Sequence, residues 1–102
     1  MFIVTNTIRV KAGHGDQVAA RFAESKGVRE MPGFVRLEVW LGAGQEGEEE
    51  LKVCTMWETE EHFHGWTSSE SFRESHRGSS NLKEVMLGAS LNKYNMVVSS
   101  QA

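Results

Sequence analysis

Cysteine and proline each appear once in this 102-residue chain. The lone Cys54 excludes an internal disulfide and fits a reducing compartment, so a cytoplasmic protein is expected. No apolar run approaches the roughly 20 residues that span a bilayer, so no membrane segment is expected. No charged leader precedes the first strand, which argues against a signal peptide. Positive charge is also scarce, with 11 Lys and Arg against 14 Asp and Glu for a net charge of −3. There is no basic stripe, which argues against nucleic acid as a partner. HExxH, paired cysteines and an EF-hand loop are missing, so a zinc or calcium site has no support. Gly13-His14-Gly15 is too short for a phosphate loop, and neither a G-x-S-x-G elbow nor an internal repeat is present.

What remains is an ordinary globular composition, 39% apolar and 25% charged. The length suits a single domain over residues 1–102 with a core over about 2–98. Such a core is small, and association of copies would help it.

Alternation predicts a first strand from Phe2 to Val10, with Phe2, Val4, Asn6, Ile8 and Val10 on one face. Asp16 to about Lys26 reads as a helix, with an apolar stripe through Val18, Ala19, Phe22 and Ala23. Met31-Pro32-Gly33 is a turn. Phe34–Leu41 and Leu51–Trp57 read as strands joined by a solvated acidic loop over Gly42–Glu50. In the first of these, Phe34, Arg36, Glu38 and Trp40 share one face. Thr59–Trp66 reads as a short helix, and Thr67 with Glu70 matches a capping box for a further helix to about His76. Ser79–Gly88 is ambiguous, and Ser90–Val98 is the last strand. The order β-α-β-β-α-α-β predicts an α+β, ferredoxin-like antiparallel sheet with helices on one face. Trp40, Phe34, Cys54 and Met56 make the other face partly apolar, so a dimer pairing two sheets is expected.

Four polar or aromatic positions invite a chemical reading. Asn6 interrupts an apolar strand face; it is either a buried amide bonded to backbone or water, or part of a site. His76 follows Phe72 by four residues and shares its helix face, so it either closes a helix C-terminus or offers an imidazole to iron in a cleft. Trp66 fits core packing as well as a site wall, and Arg21 fits an exposed helix face as well as a carboxylate partner. His62 and His64 are two apart and face different ways, so they make no metal pair.

The chain resembles the IsdG-type heme-degrading monooxygenases of the antibiotic biosynthesis monooxygenase superfamily. Asn6, Ala20-Arg21-Phe22, Gly33-Phe34 and Leu51–Trp57 carry the resemblance, followed by Phe63, Trp66, Phe72 and His76. The spacings of 60 residues from Asn6 to Trp66 and 10 from Trp66 to His76 match the family pattern. Ser79–Gly88 departs from it in composition and length.

The resemblance implies a dimeric α+β barrel that binds heme b as both substrate and cofactor, one per subunit. It implies that His76 is the axial ligand to iron, and that Asn6 stands on the distal side and donates its N–H toward iron-bound oxygen. Trp66 would be a rigid wall that ruffles the porphyrin, and Arg21 and Phe22 would line the heme site, Arg21 near the propionates. The implied reaction opens the ring, releasing iron and a linear tetrapyrrole for iron acquisition. The chain has no flavin or nicotinamide fingerprint, so an external reductase would supply electrons. Two alternatives are a cofactor-independent monooxygenase acting on a quinol or other aromatic, and a heme-binding dimer without turnover.

Overall fold

The structure is a computed structural model that describes residues 1–23, 27–70, 72–73 and 85–102. The elements are β1 (Phe2–Lys11), α1 (Gly15–Ala23), a 3-10 turn (Val28–Glu30), β2 (Phe34–Ala43), β3 (Glu48–Trp57), α2 (Glu60–Thr67) and β4 (Met86–Asn95). The strands form one antiparallel sheet in the order β2-β3-β1-β4. This is the ferredoxin-like arrangement expected from the element order. No helix among the described residues is long and apolar enough to cross a membrane.

Both helices cover the same face of the sheet. The even-numbered apolar residues of β1 point to that face and feed two packed clusters. Phe2 and Val4 pack with Val28, Trp57, Phe63 and Trp66 beneath α2. Ile8 and Val10 pack with Val18, Leu51 and Val53 beneath α1. Trp57 is fully buried and meets Phe34 and Phe63 edge-on, with ring centroids 5.5 and 6.1 Å away.

Several local expectations need correction. Alternation placed Phe34 on the far face with Trp40. The pairing of β2 with β3 shifts between Phe34 and Arg36, leaving Val35 as an extra residue. This bulge turns Phe34 inward onto Trp57, while Arg36 and Trp40 stay outside. The acidic stretch is mostly strand, and the connection is only residues 44–47. Glu48 and Glu50 extend β3 because they face Lys11 and Arg9 of β1 in register, and Glu48 lies 3.6 Å from the Arg9 guanidinium. β4 starts earlier than expected and stops at Asn95, which pairs with Phe2 at the start of β1. Beyond it Met96 N–H still bonds Met1 O at 3.0 Å.

Thr67 is not the expected cap. It ends α2, and its hydroxyl donates to His64 O at 3.1 Å. Ser69 takes the role, its Oγ accepting from Phe72 N–H at 3.1 Å. Thr59 caps α2 by accepting from His62 N–H. The end of the first expected helix, over 24–26, lies outside the described residues, as do 74–76 of the later one and His76 with them.

Gly33 has φ +77° and lies directly beneath the His62 ring, where a Cβ would collide. The α1 N-terminus is fastened to the sheet by one carboxylate. Glu49 Oε1 accepts from Gly13 N–H at 2.9 Å and Gly15 N–H at 3.0 Å. One donor that the helix start leaves without a partner, Gly15 N–H, and one from the turn before it, Gly13 N–H, are thereby satisfied by a neighbouring strand.

Candidate functional site

Asn6 lies at the middle of β1, paired with Val53 of β3 and Leu91 of β4. Along its face, Val4 belongs to the cluster beneath α2 and Ile8 to the cluster beneath α1. Asn6 therefore stands where the core divides. On the β2 side the division is bridged, because Leu37 packs against both clusters. On the β4 side it stays open among the described residues: Leu91, on the same face and next to Asn6, is 54% exposed. The Asn6 side chain is half-buried and has no hydrogen-bond partner among the described residues. An amide without a partner beside an uncovered leucine marks an interrupted apolar surface with one polar group in it.

Two predicted residues flank this break. Trp66 projects from α2 into the first cluster, 8% exposed, with the Phe72 ring edge-on to it at 5.4 Å. The capping Ser69 Oγ donates to Trp66 O at 2.6 Å, fixing the backbone there. Phe22 of α1 packs against the second cluster. Arg21 is half-buried and makes no ion pair among the described residues. Asn6, Trp66 and Phe22 thus lie on the same covered side of the sheet, and His76 lies outside the described residues.

The remaining histidines have structural roles. His62 Nδ1 is 2.8 Å from Thr59 Oγ1, and His64 Nε2 is 3.3 Å from Glu60 Oε2. No group of three or more His, Cys, Asp or Glu among the described residues could hold a bare metal ion. A groove of about 150 Å³ opens on the opposite face of the sheet, bordered by Ile3, Arg36, Trp40, Cys54, Met56 and Met96. None of the predicted site residues borders it. Burial, and secondarily the Glu38 carboxylate, pushes the Cys54 thiol up from its ordinary range, with Arg36 and Lys52 opposing. It stays protonated near neutral pH and is a poor nucleophile.

The profile described as "Antibiotic biosynthesis monooxygenase" matches residues 1–78. The chain belongs to the antibiotic biosynthesis monooxygenase family. Within that family, a staphylobilin-producing heme oxygenase of Staphylococcus saprophyticus is 34% identical over 100 residues, covering 95% of this chain and 96% of that protein. A heme-degrading monooxygenase of Shouchella clausii is 35% identical over 98 residues, covering 96% and 92%. Among solved structures, the heme-degrader MhuD of Mycobacterium tuberculosis, with two hemes bound in its active site, superposes with a TM-score of 0.77. It is 30% identical and covers 99% of this chain and 100% of its own. These antibiotic biosynthesis monooxygenase relatives match nearly the whole chain, β4 included.

Leu91 did not stand out in the sequence. The signal was its register opposite Asn6, which depends on where β4 begins.

Proposed function

We propose that this protein is a heme-degrading monooxygenase that opens the porphyrin ring and releases iron and a linear tetrapyrrole. The observation that carries the reading is the break in the core at Asn6 and Leu91, open on the β4 side. Its surroundings fit a flat, mostly apolar ligand: Trp66 and Phe22 belong to the clusters on either side, and one amide points between them. The relatives named for heme degradation support the substrate.

Heme bound there supplies both the iron that activates oxygen and the ring that is cleaved. The chain's own residues do the rest. His76 would hold the iron, in keeping with its match to the family pattern. Asn6 would present an N–H donor to the bound ligand. An amide donates a hydrogen bond but does not readily give up its proton, so it could orient an acceptor there without protonating it. Its position on the central strand holds that donor in place before any ligand arrives. Trp66, braced by Phe72 and by the Ser69 cap, is a wall that does not yield to a planar ligand pressed against it. The apolar clusters on either side exclude water. Electrons come from a separate reductase.

The protein works as a homodimer. Trp40 is 50% exposed on the outer sheet face, where Tyr94 is exposed too and the 150 Å³ groove opens. Pairing two such faces removes this apolar surface from water.

The test is spectroscopic. Hemin titrated into the purified protein should give a Soret band that saturates at a defined stoichiometry, and reductant with oxygen should then bleach it with release of iron. His76→Ala should lose turnover and shift the ferric spectrum. A missing Soret change would favour an organic aromatic substrate, and a stable one under turnover conditions would mean heme binding without degradation.

A further inference from the structure

β4 carries a second side chain to the face that holds Asn6. Leu91 pairs with Asn6 and Lys93 with Val4, so Lys93 lies one pair along the same face, toward α2. The β4 residues on this face are Ala89, Leu91, Lys93 and Asn95, opposite Ile8, Asn6, Val4 and Phe2. Lys93 is the one charged group among these four. Its Nζ lies over the Phe63 ring, 5.8 Å from the centroid. That is near the outer limit of about 6 Å for an ammonium on an aromatic face. The contact steers the side chain without neutralising it. No carboxylate pairs with Lys93 among the described residues. The lysine is exposed, at the open side of the break in the core.

We propose that Lys93 binds a carboxylate of the ligand at the rim of this cleft. The inference rests on the heme reading and adds a residue to it. Heme has an apolar macrocycle and two propionates. Entering with its apolar edge first, it buries the ring against Asn6, Leu91 and the two clusters and leaves the carboxylates at the mouth. A cation on a long apolar stem suits that position, because the stem lies along apolar surface while the head stays in water. An ammonium also suits one carboxylate as a point charge, with no demand for a fixed fork geometry. Lys93 lies beside the α2 cluster, whereas α1, which carries Arg21, packs on the other. The two cations therefore grip the ligand from different sides, and losing one does not remove the other.

The test compares hemin with hemin dimethyl ester, in which both carboxylates are capped, on wild type, Lys93→Met and Lys93→Arg. Lys93→Met keeps an unbranched stem and removes only the charge. Hemin should bind Lys93→Met about fivefold more weakly, as suits an exposed ion pair, and the diester should bind both proteins alike. Lys93→Arg should restore hemin binding. Raising the salt to about 0.5 M should shrink the difference, because screening shortens the reach of the charge. Equal weakening for hemin and diester would mean that only the stem matters, and no weakening for either would mean no contact; both overturn the inference. So would failure of Lys93→Arg to restore binding. If the wild type binds neither porphyrin, the heme reading falls and this falls with it. If it binds both and the Lys93 pattern is missing, this inference alone falls.

Discussion

On the proposed function, Asn6 is the residue at which stability and chemistry make opposite demands. Its face of β1 is otherwise apolar, and its amide has no partner among the described residues. Asn6→Ala should therefore fold at least as well as the wild type, since an unsatisfied amide costs on the order of 1 kcal/mol or more. Heme affinity should change little. The single-turnover rate should fall by about 10²–10³, the usual loss for one preorganised donor. Melting temperature, hemin affinity and turnover measured on this one variant decide the matter. A lower melting temperature with an unchanged rate per bound heme would make Asn6 a structural residue. Its oddity was legible in the sequence because period two is rigid: an amide at the third of five inward positions has to be accounted for. Leu91 and Lys93 were not legible, because their meaning comes from register against β1, which no local pattern reports.

At the scale of elements, α1 depends on a residue outside itself. Glu49 of β3 accepts from two backbone donors at the turn into α1. Gly15 stands so close to Leu41 and Glu49 that a Cβ there would meet Leu41 Cδ1 at 2.5 Å. Sheet and helix start are thus tightly apposed. Glu49→Ala should cost about 1–2 kcal/mol, as for loss of a helix cap, while Glu49→Gln, which keeps the acceptor, should cost less than half of that. Chemical denaturation of both variants checks this; equal losses would show that charge matters and geometry does not. The strands and helices themselves were readable from period. The bulge at Val35 was not, because strict alternation has no place for an extra residue, and only the pairing of Phe34 with Trp57 reveals it. Nor was the Ser69 cap. Thr67, Ser68 and Ser69 are all acceptable caps by type, and the choice followed from where α2 ended.

The whole molecule is a sheet with one face covered by helices and the other bearing Trp40, Tyr94 and a groove. The ferredoxin-like order was legible because each helix falls between strands that it alone could connect across the sheet. The expected homodimer makes a definite prediction. Trp40→Glu places a charge on the outer face and should shift the protein to monomer in sedimentation at micromolar concentration. The monomer should keep its secondary structure, since Trp40 lies outside both core clusters. A wild type that sediments at 11.4 kDa would sink the dimer.

The pairing of β1 with β4 joins the two ends of the chain, with Phe2 opposite Asn95. β2 and β3, by contrast, meet across a connection of residues 44–47. Closing the larger loop costs more entropy, and its reward comes only once β4 is present. A fragment ending before Met86 would retain Asn6, Trp66 and Phe22, yet its Asn6 strand would be a bare edge facing solvent. The part of the sheet bearing Leu91 and Lys93 is added by β4, which follows the other described elements in sequence, so the face around Asn6 stays incomplete until that strand returns to pair with β1.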